Sequence, residues 1–146
     1  MFHFYSRILV AYDGSNLSQK ALDNATEIAK QNPDIEIHVV TVYNAATELA
    51  NYGVYNVDLI NGLREETEKM LTDVETSWAD KKLPNKFSTH ILEGHTGKQI
   101  VDFANKQNCE LIIIGSRGLS GFKELFLGSV SHYVVQNANC PVFIVK

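Results

Sequence analysis

The chain has 146 residues, 45% of them hydrophobic and 21% charged, with a formal net charge of −4 at pH 7. This length and composition predict one globular domain over residues 1–146 that can bury a hydrophobic core. The net negative charge argues against a dedicated nucleic-acid surface, which needs a basic face. No apolar run approaches the roughly 18 residues of a membrane span, and the start lacks the features of a signal peptide, so we expect a cytoplasmic protein.

The first third of the chain predicts two strands around one helix. Residues 8–11 form a short apolar run that is typical of a strand buried on both faces. A polar turn at residues 12–16 follows, and apolar residues then recur at helical spacing up to Gln31. An Asn-Pro-Asp turn ends this helix, and the β-branched residues within 35–43 predict the second strand.

The middle of the chain predicts a long loop, a long helix and a third strand. Residues 44–56 are irregular and longer than usual for a connection inside a domain, which predicts a lid or a binding loop. Apolar residues from Ile60 to Trp78 predict an amphipathic helix with Trp78 in the core. Residues 83–85 end this helix, and residues 87–92 predict the third strand.

The last third predicts two more pairs of helix and strand. Thr96 and Gln99 have the spacing of a capping box, with Thr96 as the N-cap of a helix. Residues 111–114 predict the fourth strand, and the Gly128-Ser129 pair begins a short last helix. After a turn, residues 142–145 predict the final strand.

Strict alternation of strands and helices predicts an α/β fold of the doubly wound, Rossmann-like kind. We expect a five-stranded parallel sheet with helices on both faces. Right-handed crossovers limit the strand order without fixing it, and the order that we expect is 3-2-1-4-5. Ligands of such sheets bind beyond the carboxyl ends of the strands at the switch point. In this order the first and fourth strands are neighbours there, so the loops that follow them face one crevice.

Three glycines and a serine after the fourth strand are the strongest functional signal. Their spacing is Gly115-x2-Gly118-x9-Gly128-Ser129, and neither a Walker A loop nor GxGxxG occurs in the chain. Glycine lets backbone N–H groups approach a ligand without an intervening Cβ, and a helix N-terminus attracts anions. The spacing favours a phosphate-binding loop, with the alternative that these glycines serve only turns and a helix cap.

This spacing belongs to a larger pattern. Residues 8–15 read Ile-Leu-Val-Ala-Tyr-Asp-Gly-Ser, and the chain ends on Cys-Pro-Val-Phe-Ile-Val at 140–145. Together with the glycine spacing, these segments resemble the universal stress proteins, and more narrowly the ATP-binding branch of that family. The resemblance runs along nearly the whole chain.

The resemblance implies an adenine-nucleotide pocket for ATP, with Mg²⁺ as an accompanying ion left open. Asp13 corresponds to the acid on the ribose or adenine side, Val42 to the residue that touches adenine, and Ile114 to a pocket-lining residue. The glycines and Ser129 correspond to the positions that hold phosphate. The full predicted binding set is Ala11, Tyr12, Asp13, Val42, Ile114, Gly115, Arg117, Gly118, Gly128, Ser129, Val130 and Ser131.

The same resemblance implies an oligomer and shows departures from the family. The family's last strand pairs with its twofold mate, which implies a homodimer through Val142 to Val145 and would cover an apolar edge strand. Thr41 stands where many members carry His, and residues 44–56 carry no family motif.

The cysteines and histidines show no spacing of a metal site. We interpret Cys109 and Cys140 as small hydrophobic residues near strand ends. Each of the five histidines is interpreted as a surface or edge residue rather than a ligand.

Three functions are compatible with these features. The first is an ATP-binding regulatory module of a stress response. The second is a slow ATP hydrolase or autophosphorylating enzyme with the same pocket, although Asp13 is the only carboxylate placed near it and no catalytic base can be assigned. The third is a nucleotide-free interaction protein, against which the intact glycine spacing argues. The sequence therefore favours the first.

Overall fold

The structure is a computed structural model that describes residues 5–44, 57–119 and 127–146. Over these ranges strands and helices alternate as β1 (Arg7–Ala11), α1 (Asn16–Ala29), β2 (Glu36–Tyr43), α2 (Val57–Lys81), β3 (Phe87–Glu93), α3 (Thr96–Lys106), β4 (Leu111–Gly115), α4 (Ser129–Asn137) and β5 (Val142–Val145). The predicted loop at 44–56 lies outside the described residues except for Asn44. No helix within these ranges is both long and apolar enough to cross a membrane.

The strands form one parallel sheet in the order β3-β2-β1-β4-β5, which confirms the predicted fold. In the register of the central strands, Ile8 of β1 is level with Ile37 of β2 and Leu111 of β4. On one side of β1 the sheet continues through β2 to β3, and on the other side it continues through β4 to β5. The switch point therefore lies between β1 and β4.

The helices cover both faces of the sheet, so the central strands are buried on both sides. Side chains of β1 alternate between the two faces, and Ile8, Leu9 and Val10 are all fully buried. This double burial explains why these strands read as continuous apolar runs. One core lies under α1 and α2 and contains Ile8, Val10, Ala25, Trp78 and Ile113. The other lies under α3 and α4 and contains Leu9, Ile100, Ile112 and Val134.

Both ends of α1 are capped by side chains. At its start the Ser15 hydroxyl accepts a hydrogen bond from the Ser18 N–H at 3.2 Å, as expected of an N-cap serine. The helix ends at Ala29, two residues before the predicted Gln31. There the buried Asn85 amide donates to the Ala29 carbonyl at 3.1 Å. This contact joins positions far apart in the chain, so local periodicity did not reveal it.

The predicted N-cap of α3 is wrong by one residue. His95 is the N-cap, and its Nδ1 accepts from the Lys98 N–H at 3.1 Å. Thr96 lies inside the helix as its first residue. The physical reason is the preceding turn, in which Gly94 has a φ of 129° and brings the chain into the helix at Thr96.

Candidate functional site

The two predicted halves of the site meet at the carboxyl ends of β1 and β4. Val10 is level with Ile113, so the next residues of both strands, Ala11 and Ile114, end at the same edge of the sheet. Both are buried. Of the other predicted residues at this edge, Gly115 is buried, Tyr12, Asp13 and Arg117 are half-buried, and Gly118 is exposed.

The Asp13 carboxylate joins the loop after β1 to the loop after β4. Its Oδ1 accepts a hydrogen bond from the Ser15 N–H at 2.9 Å. Its Oδ2 accepts from the Leu119 N–H at 3.1 Å, across 106 positions of the chain. One side chain therefore joins the first residues of the glycine-containing loop, up to Leu119, to the end of β1.

The end of β2 is tied to the same loop. The Tyr12 N–H donates to the Val40 carbonyl at 2.9 Å, and the buried Thr41 hydroxyl donates to the Tyr12 carbonyl at 2.8 Å. Thr41, which departs from the family pattern, thus holds the residue that precedes Asp13. Val42 follows at the strand end and is half-buried against the core under α3 and α4.

Ser116 connects the glycine-containing loop to β5 and α4, a role that the sequence analysis missed. Its N–H donates to the Val145 carbonyl at 2.7 Å, and its own carbonyl accepts from the Gly128 N–H at 2.7 Å. The Ser131 hydroxyl donates to the same carbonyl at 2.8 Å. The position of Ser116 between two motif glycines is the signal that could have identified it.

The N-terminus of α4 opens toward this edge without a side-chain cap. Gly128 is the N-cap and Ser129 the first helical residue, as the sequence predicts. Ser129 is exposed and Val130 half-buried, whereas Ser131 is 2% exposed and its hydroxyl also donates to the Gly128 carbonyl at 3.0 Å. First-turn N–H groups have no partner inside a helix and carry the positive end of its dipole. This end can therefore take an anion.

The three motif glycines differ in how much space the surrounding residues leave for a side chain. A Cβ on Gly115 would lie 2.8 Å from the Leu17 Cβ, and one on Gly118 would lie 2.5 Å from the Asp13 Oδ2. Among the described residues, the atom nearest to a Cβ on Gly128 would be the Ser116 carbonyl oxygen at 3.4 Å, which is ordinary contact. Packing within the protein accounts for the first two glycines. Gly128 is the N-cap of α4, a position that glycine suits better than alanine, and its lack of a Cβ also leaves the helix N-terminus open to a ligand.

Two histidines lie together, which the sequence analysis did not foresee. His38 Nδ1 lies 3.2 Å from His90 Nε2, and the Ser88 hydroxyl is within 3.0 Å of both atoms. The interpretation of His38 as a surface or edge residue is wrong, because β2 is an inner strand and only 14% of this side chain is exposed. Burial lowers the pKa of both imidazoles, and for His38 the nearby Glu36 partly opposes that effect.

The electrostatics of the site edge are set by burial. Burial raises the pKa of the Tyr12 phenol, and the neighbouring Asp13 carboxylate adds to the effect. Tyr12 is therefore a neutral hydroxyl at pH 7, and it donates to Gln19 Oε1 at 3.2 Å. Within the described ranges, no group of three or more His, Cys, Asp or Glu side chains could hold a metal ion.

Comparison with known proteins identifies the family. The family model described as Universal stress protein family (Usp) matches residues 4–146. The chain belongs to the universal stress protein family. Universal stress protein YxiE of Bacillus subtilis is 37% identical over 97% of this chain and 99% of its own length. Universal stress protein MJ0531 of Methanocaldococcus jannaschii is 33% identical over 99% of this chain and 84% of its own length.

Solved structures of other proteins share the fold of this universal stress protein. Hypothetical protein MJ0577 has a TM-score of 0.85 and 26% identity, over 98% of this chain and 96% of its own. A universal stress protein from Archaeoglobus fulgidus in complex with dAMP has a TM-score of 0.65 and 24% identity, over 98% and 99%. A universal stress protein in complex with cAMP has a TM-score of 0.62 and 23% identity, over 97% of both chains.

Proposed function

We propose that this universal stress protein is an ATP-binding regulatory module of a stress response, and not a catalyst. The observation that carries the proposal is the N-terminus of α4, where Gly128 is the N-cap, no side chain caps the helix, and no Cβ covers the first-turn N–H groups. A phosphate group placed there meets unpaired N–H groups and the positive end of a helix dipole. The exposed Ser129 hydroxyl can add a further donor.

The rest of the pocket follows from the neighbouring strand ends. The half-buried Val42 supplies an apolar contact for adenine at the end of β2, and Ile114 closes the pocket floor at the end of β4. Asp13 faces the same edge, and its carboxylate can accept hydrogen bonds from ribose hydroxyls. Arg117 and Gly118 complete the phosphate side, and Ser131 orients the first turn of α4 through its bond to Ser116.

Two related structures support the nucleotide class. Universal stress proteins of this fold occur in complexes with dAMP and with cAMP. At 24% and 23% identity they share the fold with this chain, so the choice of ATP rests on this chain's own glycine spacing. Mg²⁺ binds phosphate oxygens of nucleotides in many proteins, so whether this site uses it is decided by titration with and without Mg²⁺.

The proposal includes a homodimer through β5. This strand is at one edge of the sheet, pairs with β4 alone among the described strands, and leaves Phe143 44% exposed. An apolar edge strand offers unpaired backbone groups to a second copy. The cytoplasmic location and the single domain over residues 1–146 stay predictions.

The test is calorimetric titration with ATP and with GTP, each with and without Mg²⁺. We expect saturable binding of ATP, weaker binding of GTP, and no turnover of bound ATP on the timescale of the titration. The variant Gly128→Val places a branched side chain at the α4 N-terminus and should abolish binding. Gly62→Ala is the control, because a Cβ at Gly62 has no atom of the described residues within 4 Å. Absence of ATP binding by the wild-type protein at millimolar concentration would refute the proposal.

A further inference from the structure

The Asp13 carboxylate occupies the space that a side chain at position 118 would need. Its Oδ2 lies 2.5 Å from the place of a Cβ on Gly118, and its Cγ lies 3.7 Å away. Apart from the adjacent residues 117 and 119, no other atom of the described residues lies within 4 Å of that place. The same Oδ2 accepts the Leu119 N–H at 3.1 Å. The Asp13 carboxylate therefore lies in the space that is free because residue 118 has no Cβ.

Backbone conformation gives no other reason for glycine at position 118. The described glycines with positive φ are Gly14 and Gly94, and Gly118 is not among them. An L-residue can adopt its backbone angles, so the Asp13 carboxylate is the obstacle to a larger side chain there.

We propose that Asp13 is the positioning residue of the phosphate-binding loop and that Gly118 is glycine to admit the Asp13 carboxylate; this rests on the ATP site proposed above. The carboxylate holds Gly118 and Leu119 against β1 through the Leu119 N–H before any nucleotide arrives. Residues that are positioned in advance lower the entropic cost of binding. Gly118 thus affects phosphate binding indirectly, by admitting the Asp13 carboxylate. Gly128 affects it directly, because no Cβ lies between the α4 N-terminus and the phosphate.

The same carboxylate keeps capacity for the nucleotide. An ionised carboxylate has about four acceptor positions, and the N–H groups of Ser15 and Leu119 fill two of them. The remaining positions suit the two hydroxyl donors of a ribose. Loop positioning and ribose binding are therefore compatible in one side chain, and an amide at position 13 would provide fewer acceptors for both.

A double-mutant cycle tests this pairing in the nucleotide-free protein. We compare the wild type, Asp13→Ala, Gly118→Ala and the double variant by thermal unfolding and by hydrogen exchange of the Leu119 amide. Gly118→Ala alone should lower the Tm by about 3–8 °C. In the Asp13→Ala background the same change should shift the Tm by no more than about 1 °C, because the obstacle is gone. Leu119 exchange should be about tenfold faster in Asp13→Ala, with Asp13→Asn between it and the wild type.

The ATP arm of the cycle separates this inference from the proposed function. Gly118→Ala should raise the Kd for ATP about tenfold in the wild-type background and leave it unchanged in Asp13→Ala. Gly62→Ala controls for the change from glycine to alanine itself. Additive Tm shifts, or Leu119 exchange that ignores Asp13, would overturn the pairing. If the wild type binds no ATP, the proposed function fails, and the Tm and exchange data still decide the role of Asp13.

Discussion

Gly115→Ala should lower the stability of the fold, whereas Gly128→Ala should weaken the binding of ATP. A Cβ at position 115 would lie 2.8 Å from the Leu17 Cβ and 3.3 Å from the Arg117 carbonyl oxygen. Carbon atoms normally approach to about 3.5–4.0 Å, so the overlap with Leu17 on α1 is close to an ångström. Overpacking of this kind costs about 1–3 kcal/mol, and the free energy of unfolding should fall by that amount.

At position 128 the same Cβ would lie 3.4 Å from the Ser116 carbonyl oxygen and 3.6 Å from the Arg117 Cα, which both fit. The remaining cost is the weaker N-cap preference of alanine, at most about 1 kcal/mol. A phosphate that contacts the α4 N-terminus would meet the new methyl group. We expect the Kd for ATP to rise about tenfold or more, which corresponds to about 1.4 kcal/mol.

Urea unfolding without nucleotide measures the first quantity, and calorimetric titration with ATP measures the second. The expected pattern is a large loss of stability for Gly115→Ala and a large loss of affinity for Gly128→Ala. The reasoning is refuted if Gly128→Ala unfolds as easily as Gly115→Ala, or if it binds ATP as tightly as the wild type.

Three further predictions concern stability, pH and assembly. Ser131→Ala should lower the free energy of unfolding by about 1 kcal/mol. The Ser116 and Gly128 carbonyls lose the buried hydroxyl donor, but each keeps a backbone donor. Urea unfolding of this variant and of the exposed Ser129→Ala checks the prediction, and equal effects would contradict it. The lowered pKa of His38 and His90 means that below pH 6.5 the unfolded chain binds more protons than the folded one, so stability should fall as pH drops from 6.5. The double variant His38→Gln/His90→Gln should lose that part of the pH dependence in unfolding curves, and an unchanged pH profile would disprove it. Phe143→Arg should convert a dimer to a monomer in light scattering, whereas Val135→Arg, equally exposed but on α4, should not; a dimer that survives both changes would exclude β5 as the interface.

The alternation of strands and helices could be predicted because each element carries its own signal. β1 and β4 are buried on both faces and are apolar over residues 8–11 and 111–114, and the connecting helices show a 3.6-residue period. The right-handed crossover rule limits the topologies but leaves more than one strand order open, so the tertiary structure decided the order 3-2-1-4-5. The candidate edge followed from the same logic, since the loops after β1 and β4 meet wherever these strands are neighbours.

Contacts between distant residues set the details that the sequence did not reveal. Asn85 fixes the end of α1, and the His38–His90 pair arises from the alignment of β2 with β3. The capping rules that the sequence analysis applied also missed His95, whose imidazole replaced the expected threonine. The partners of Asn85 and His38 lie far away in the sequence, so local spacing does not encode them. His95 caps its own helix at a local spacing, and it was missed because imidazole is not among the usual N-cap groups.

The motif glycines show the difference between what the sequence alone determined and what only the tertiary structure decided. The sequence by itself determined the α/β class and the alternation of strands and helices, because apolar periodicity is a local property. The glycine spacing predicted where a phosphate-binding loop would lie. Only the tertiary structure decided what surrounds each glycine: Gly115 packs on Leu17, Gly118 admits the Asp13 carboxylate, and a Cβ on Gly128 would make only ordinary contacts with the described residues. The physical reason is that the space around a Cα depends on neighbours from elsewhere in the chain.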